Sequence, residues 1–223
     1  MFSLETFHKN YQTETRNLAI NERKFSFLVP QSIDRFIDPQ DLFNDFPLWS
    51  KIWHASMILA GHIISIKPEQ DRQFLEIGCG LGIVGIIASS FGHRVTMTEY
   101  NQDALNFARA NAATNLSKEG QKPEITKLDW KKPELKGTFD YIIGSEIIYN
   151  ERDYQPILML FKRYLKPSGE IILAEGIRKT SMEFFRQMDE FFEITARKKV
   201  LRSGEEETRI ILSSMKFKNS SSS

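Results

Sequence analysis

Residues 76–82 have the sequence EIGCGLG and stand between the apolar pair Phe74 and Leu75 and a helix-like apolar segment over 83–91. Alternating glycines after a strand-like segment predict a tight turn, because glycine lets the backbone turn sharply and lets a ligand approach the main chain. The helix that follows offers free N–H groups and a partial positive charge at its start. The stretch therefore predicts a cofactor-binding turn between a β-strand and a helix.

Two cofactors fit this turn. Residues 80–85, GLGIVG, match the dinucleotide fingerprint G-x-G-x-x-G, and Glu99 lies near the ~20-residue offset at which an acid binds a ribose. Counted from Glu76, the pattern is E-x-G-x-G-x-G, which resembles the first motif of the seven-strand methyltransferases that use S-adenosylmethionine. Glu76 would repel a pyrophosphate but attract the amine and the sulfonium of S-adenosylmethionine. Charge therefore favours the methyl donor, with an NAD-binding oxidoreductase and a turn without a ligand as the alternatives.

Composition limits the class of protein. The chain has 223 residues, 41% of them hydrophobic, which suits one α/β domain with an N-terminal extension. The formal net charge is +1, so bulk charge predicts neither a nucleic-acid partner nor an anionic membrane. The single cysteine, Cys79, rules out an internal disulfide and fits the cytoplasm. Residues 1–10 show no secretory signal, and the longest uncharged run, 52–66, is shorter than the ~20 residues of a membrane span.

Strand and helix patterns alternate after an amphipathic helix predicted over 49–66. The predicted strands are 73–78, 94–99, 124–129, 139–144 and 170–174, followed by 193–201 and 208–215, which a short polar turn joins. This order predicts a Rossmann-like, doubly wound α/β fold: a seven-stranded, mostly parallel sheet with an antiparallel C-terminal strand and helices on both faces. We expect an N-terminal cap over 1–48, an S-adenosylmethionine-binding domain over 49–217 and a disordered tail over 218–223.

Polar residues at the carboxyl ends of the strands are the candidate site, because ligands of such sheets bind there. Glu99 ends the second strand, where its carboxylate can accept hydrogen bonds from a ribose diol. Asp129 and Trp130 end the third strand, where an acid can accept from the adenine amine and an aromatic ring can cover its face. Ser145 and Glu146 follow the fourth strand, where the methyl acceptor should lie.

Residues 145–150, SEIIYN, carry a more specific resemblance. An acid, two apolar residues and a tyrosine at this place are similar to the seven-strand protein methyltransferases that modify lysine and, in one branch, histidine side chains. Many lysine-directed members have aspartate first, whereas Glu146 resembles the Ser-Glu-x-x-Tyr of the histidine-directed branch. Trp49 and Trp53 match the family's tryptophan-bearing segment, and the resemblance implies that Trp53 contacts the cofactor. It covers roughly residues 45–215.

The sequence thus predicts an S-adenosylmethionine-dependent N-methyltransferase for a protein side-chain nitrogen, lysine or histidine, with Glu146 and Tyr149 orienting the acceptor. The predicted cofactor-binding residues are Trp53, Glu76, Gly78, Cys79, Gly80, Gly82, Glu99, Asp129, Trp130 and Ser145. No metal is predicted, because Asp140, at a strand's start, should lie ~20 Å from the acids and amides at its end. A monomer that binds no nucleic acid and no membrane is expected. A small-metabolite methyltransferase and a non-catalytic subunit of the same fold remain alternatives.

Overall fold

The computed structural model describes residues 2–37, 46–117, 121–203 and 206–218, with side chains described outside 202–206. Within these ranges the α-helices are α1 (Leu4–Asn10), α2 (His54–Ile63), α3 (Ile83–Ser90), α4 (Gln102–Asn115), α5 (Tyr154–Tyr164) and α6 (Lys179–Met188). The β-strands are β1 (Thr13–Ile20), β2 (Arg23–Pro30), β3 (Gln73–Ile77), β4 (Arg94–Glu99), β5 (Glu124–Lys127), β6 (Phe139–Ser145), β7 (Leu165–Gly176), β8 (Phe192–Ser203) and β9 (Glu206–Phe217).

In the described part of the chain, seven strands form one sheet in the order β5-β4-β3-β6-β7-β9-β8. The strands from β3 to β7 pair in parallel, and β9 runs antiparallel to both of its neighbours. The predicted fold class is therefore confirmed. The chain order reverses between β3 and β6, and such a switch point is where open parallel sheets leave a crevice for a ligand.

Apolar side chains fill a core on each face of the sheet. Ile86 of α3 and Phe107 of α4 are fully buried on one face, and Phe161 of α5 is fully buried on the other. Neighbouring residues of β3 divide between the two cores, Phe74 on the first face and Leu75 on the second. A parallel strand that is covered on both faces has apolar residues at successive positions, which explains the adjacent Phe74 and Leu75.

The N-terminal segment packs on the same core as α3 and α4. Its strands β1 and β2 form an antiparallel hairpin, and the outer edge of β2 is hydrogen-bonded by side chains of α4. The amide of Asn111 accepts from the N–H of Leu28 at 2.7 Å and donates to its carbonyl at 3.1 Å. Asn115 makes the same pair of bonds to Ser26, at 2.8 and 2.9 Å. Residues four apart share one helix face, so these two amides replace a neighbouring strand along β2.

Two predicted boundaries differ from the structure or fall outside it. The helix predicted over 49–66 begins at His54, because Leu48–Ser50 form a 3-10 turn and Trp53 has an extended backbone. The predicted tail lies outside the described residues from 219 onward, as do residues 38–45 of the predicted cap.

Candidate active site

A cavity of about 470 Å³ opens at the carboxyl ends of β3, β4 and β6, within the size range of small-molecule sites. The predicted residues on its wall are Trp53, Gly78, Cys79, Gly80, Glu99, Asp129, Trp130, Ser145, Glu146 and Tyr149. The other two predicted residues, Glu76 and Gly82, lie behind that wall. Folding therefore brings the predicted donor and acceptor residues to one place.

The glycine loop, residues 78–82, turns with left-handed backbone at its three glycines. Gly78 has φ +63°, and a Cβ atom there would lie 2.9 Å from Cγ2 of Ile147 and 3.3 Å from Cζ2 of Trp130. A residue with a side chain could adopt this conformation only by displacing those neighbours. The loop thus presents main chain rather than side chain to the cavity.

Glu76 lies beneath the loop rather than in it. Its side chain is buried, and its Oε2 atom has no hydrogen-bond partner among the described residues. Burial raises the pKa of Glu76 to about 8, while the N–H of Gly85 lowers it and the charge of Glu99 raises it. The carboxyl is therefore mostly protonated at neutral pH, which weakens the attraction to a cationic ligand on which its predicted role depended.

Gly85, the third glycine of the dinucleotide pattern, is required by packing. A Cβ atom there would lie 2.4 Å from Oε2 of Glu76 and 2.5 Å from Cγ of Met97. The close approach of α3 to β3 and β4 accounts for this glycine, which is the packing role that the third glycine has in the dinucleotide pattern, so Gly85 does not discriminate between the two cofactors.

The substitution Glu76→Gln is expected to flatten the dependence of stability on pH. A carboxyl with a higher pKa in the folded chain than in the unfolded chain binds its proton more tightly when folded, so the free energy of unfolding falls as pH rises from about 4.5 to about 8. Glutamine resembles the protonated form, and the slope should shrink by up to about 1.4 kcal/mol per pH unit. Urea denaturation at half-unit steps of pH measures this. The exposed Glu134→Gln variant is the control, and parallel curves for the wild type and Glu76→Gln would contradict the prediction.

Glu99 is fixed by the backbone around it. Its Oε2 atom accepts from the N–H of Gly80 at 3.0 Å, and its Oε1 atom accepts from the N–H groups of Tyr100 and Asn101 at 2.7 and 3.0 Å. Burial raises the pKa of Glu99, and these three N–H groups oppose that rise. A carboxylate has about four lone-pair directions, so one remains on Oε2 for a ligand hydroxyl.

The end of the third parallel strand places an acid and an aromatic ring on the cavity wall. Asp129 accepts from the N–H of Lys131 at 2.9 Å, which holds the turn after β5. The ring of Trp130 lies against Gly78 of the loop.

Cys79 lines the same region, and burial raises the pKa of its thiol well above the usual range, so it stays protonated and is no nucleophile.

Both tryptophans of the predicted segment reach the cavity. The carbonyl of Trp49 lies 3.3 Å from the place of a Cβ atom on Gly80, and its ring packs on Phe36 and Phe107. Trp53 donates from Nε1 to the carbonyl of Leu48 at 2.8 Å. Trp49 therefore covers the glycine loop with its backbone, and Trp53 lies on the cavity wall, where its contact with the cofactor stays a prediction.

Glu146 and Tyr149 form the opposite wall. Glu146 has φ +51°, an unusual value outside glycine that costs about 1–3 kcal/mol. Its Oε1 atom accepts from the N–H of Gly176 at 2.9 Å, and its Oε2 atom lies 3.3 Å from the hydroxyl of Tyr149. Burial and the charge of Glu146 raise the pKa of Tyr149, so its hydroxyl stays protonated and can donate.

Arg178 and Glu175 complete this wall, and the sequence interpretation missed both. Arg178 contacts Oε2 of Glu146 at 2.6 Å and Oε2 of Glu175 at 3.2 Å, and its guanidinium lies 4.6 Å from the ring centre of Tyr149. Glu175 is fully buried, and burial together with the charge of Glu146 raises its pKa to about 8. The rule that polar residues at strand ends form the site would have found this pair if applied to the fifth parallel strand, β7.

The described residues contain neither a metal-binding cluster nor a membrane-spanning helix. No group of three or more histidine, cysteine, aspartate or glutamate residues there is arranged to hold a metal ion. No helix there is both long enough and apolar enough to cross a membrane.

The sequence profile of the lysine methyltransferase family matches residues 44–191 of this chain. The chain belongs to this family. The predicted resemblance to this family is thereby confirmed. The match begins close to the predicted domain boundary at residue 49.

Curated relatives of this family member include two proteins of Xenopus tropicalis. Protein N-lysine methyltransferase METTL21A is 30% identical over 140 residues, which cover 61% of this chain and 65% of the relative. EEF1A lysine methyltransferase 3 is 30% identical over 166 residues, which cover 71% of each chain. The match thus spans slightly less than two thirds of the first relative's length.

Solved structures agree in fold. The S-adenosylmethionine-dependent methyltransferase from Agrobacterium tumefaciens has a TM-score of 0.63 at 14% identity and covers 92% of this chain and 71% of its own. Magnesium protoporphyrin IX methyltransferase from Synechocystis PCC 6803, solved with bound S-adenosylmethionine, has a TM-score of 0.57 at 19% identity and covers 72% of this chain and 77% of its own. At these identities the likeness concerns the fold alone.

Proposed function

We propose that this chain transfers a methyl group from S-adenosylmethionine to a side-chain nitrogen of a protein. The observation that carries the proposal is that one cavity has the glycine loop and Glu99 on one side and Glu146 and Tyr149 on the other. Titration calorimetry with S-adenosylmethionine, S-adenosylhomocysteine and NAD tests the donor. Binding of the two sulfur compounds and not of NAD is expected, and binding of NAD alone would refute the proposal.

The donor side fits S-adenosylmethionine. The bare backbone at Gly78, the remaining lone pair of Glu99, and the acid and ring of Asp129 and Trp130 suit the amino acid, ribose and adenine parts of that molecule. When bound, it supplies a methyl group already activated by a sulfonium. The protein's residues therefore contribute mainly by positioning and by excluding water, and good alignment of reactants is worth ~7–11 kcal/mol.

On the acceptor side, we assign the carboxylate of Glu146 and the hydroxyl of Tyr149 to orienting the acceptor nitrogen. Arg178 and Glu175 act through them as positioning residues. The N–H of Gly176 and the guanidinium of Arg178 hold the Glu146 carboxylate in one direction. The N–H of Ile147 donates to the buried Glu175 at 2.9 Å, which fixes the backbone directly after Glu146.

The identity of the acceptor nitrogen depends on the charge of this wall. A lysine amine, with an ordinary pKa of ~10.4, must lose its proton to water before its lone pair can attack. The names of the curated relatives support lysine. The ion pair with Arg178 offsets the negative charge of Glu146, which would otherwise bind a lysine ammonium. A neutral histidine imidazole needs no such charge, which supports histidine as a second candidate.

Product analysis separates the two acceptors. Lysate proteins are labelled with radioactive S-adenosylmethionine, hydrolysed to amino acids and chromatographed against methyl-lysine and methyl-histidine standards. Label in methyl-lysine supports the first candidate and label in methyl-histidine the second. Label in small metabolites alone, with unlabelled protein, would refute a protein acceptor.

We also infer a monomeric, cytoplasmic enzyme in which residues 1–48 border the active site as a cap. The single cysteine supports a reducing compartment, and the net charge of +1 lacks the basic excess typical of nucleic-acid binding. Phe36 supports the role of the cap, since its ring packs edge-on against Trp49 at the glycine loop, with 4.9 Å between ring centres. Light scattering of the purified protein tests the monomer.

A further inference from the structure

A second cavity, of about 590 Å³, lies between α2 and the face of the sheet formed by β8 and β9. Its floor is apolar, formed by the half-buried Met57, Ile58 and Leu212. Arg197 and Lys199 line it from β8, and both side chains are exposed. We call this cavity the basic groove.

The positive charge of the basic groove is not neutralised within the described part of the chain. Neither Arg197 nor Lys199 forms an ion pair with another described residue. The acid on the lining, Glu170, is already occupied, because it lies 3.4 Å from Lys216 and accepts a hydrogen bond from Ser214. Burial lowers the pKa of His62, Glu170 opposes that change, and the charges of Arg197 and Lys199 add to it. The groove therefore carries a net positive charge above an apolar floor.

The basic groove adjoins the active site. Lys199 pairs with Ile210 of β9, and Ile210 pairs with Gly176 of β7, whose N–H donates to Glu146. With strands ~4.8 Å apart, the backbone of Lys199 lies about 10 Å from that of Gly176. Helix α2 also connects the two cavities, with Ser56 on the wall of the active site and Gly61 on the wall of the groove.

We propose that the basic groove binds an acidic, extended segment of the protein substrate and so directs the acceptor side chain toward Glu146. The proposal rests on the proposed function. Arg197 and Lys199 are two residues apart on one strand, so they are ~6.6 Å apart and point to the same face. Alternate side chains of an extended peptide have the same spacing, so two acids can meet the two cations while the apolar residues between them contact the floor.

A nucleic acid fits this surface less well than an acidic peptide. Binding along a phosphate backbone requires many cations in a stripe, whereas two exposed cations line this groove within the described residues. The net charge of +1 for the whole chain also lacks the excess of basic residues typical of nucleic-acid binding.

Charge reversal on β8 tests the proposal. The probe is a short fluorescein-labelled peptide of alternating glutamate and leucine, and its binding is followed by fluorescence anisotropy. Arg197→Glu and Lys199→Glu are each expected to weaken binding by about tenfold or more, because like charges then face each other. Lys198→Glu is the matched control, since it makes the same charge change on the same strand but points to the opposite face. It should leave affinity nearly unchanged.

Three outcomes would overturn the proposal. The first is that the peptide does not bind to the wild type. The second is that Lys198→Glu weakens peptide binding as much as Arg197→Glu does. The third is that a single-stranded oligonucleotide of the same charge binds at these residues more tightly than the peptide. Failure of the proposed function is seen separately. The same proteins are titrated with S-adenosylmethionine, and all are expected to bind it equally. Absence of donor binding in the wild type would refute the methyltransferase proposal, whereas the peptide measurement needs no donor.

Discussion

Glu146→Gln is expected to lower kcat by roughly 100-fold, the size of effect that follows when a positioned reactant is misplaced by about 1 Å. Glutamine keeps an oxygen for the N–H of Gly176 but loses the negative charge that pairs with Arg178 at 2.6 Å. The affinity for S-adenosylmethionine should change little, because Glu99 and the glycine loop are untouched. Single-turnover kinetics on a labelled protein substrate and calorimetry with the donor measure the two effects.

Arg178 supplies a second variant for the same wall. Arg178→Lys keeps a positive charge but cannot contact Glu146 and Glu175 in the forked geometry of a guanidinium. A loss of about tenfold in kcat is expected, equivalent to one charge-assisted hydrogen bond, with the larger loss in Arg178→Ala. A parallel fall of turnover and donor affinity in the Glu146 variant would remove Glu146 from the acceptor side. Equal activity of the lysine and alanine variants would remove the positioning role of Arg178.

Glu99→Ala is expected to weaken S-adenosylmethionine binding by roughly 100-fold. The change removes an acceptor for the ribose. It also removes the acceptor of three hydrogen bonds that hold the loop, which the N–H groups of Gly80, Tyr100 and Asn101 donate. Hydrogen bonds to charged groups are worth about 1.5–3 kcal/mol each, so the loss of one such bond to the ligand and a looser loop together reach this size. Calorimetric titration measures it directly.

Two comparisons keep the Glu99 result interpretable. Glu99→Gln keeps one carbonyl oxygen and should bind the donor with intermediate affinity. Thermal unfolding of both variants shows whether the whole fold is affected, since a destabilised fold unfolds at a lower Tm. Donor affinity equal to that of the wild type in Glu99→Ala would refute a ribose contact.

The fold could be predicted from the sequence because its signals are local. Short segments with apolar and β-branched residues between glycines and polar turns indicated the strands from β3 onward, and the short turn between β8 and β9 required an antiparallel pair. The strands β1 and β2 of the cap show a strand pattern only in part. Strand β2 has apolar residues at the alternate positions Phe25, Phe27 and Val29, but β1 has the largely exposed sequence TETRNLAI. The outer edge of β2 is bonded by the side-chain amides of Asn111 and Asn115.

The site could be predicted where function follows from position along a strand. Glu99, Asp129 and Glu146 all stand at carboxyl ends of parallel strands, and all reach the cavity. Glu76 stands at such an end too, but its side chain points under α3 toward Gly85 and is buried. The direction of a side chain at a strand end depends on the packing of the next helix, which no local pattern records.

Residues 76–82 and the alternation of strands with helices were sufficient to specify a parallel sheet and a turn for a cofactor, because backbone conformation and hydrophobic period are properties of neighbouring residues. The ion pairs of Glu146 and Glu175 with Arg178, the proton on Glu76 and the basic groove beside α2 arise only on folding. They depend on burial and on contacts between segments far apart in the chain, such as that between Glu146 and Arg178, and these are set when the helices cover the sheet.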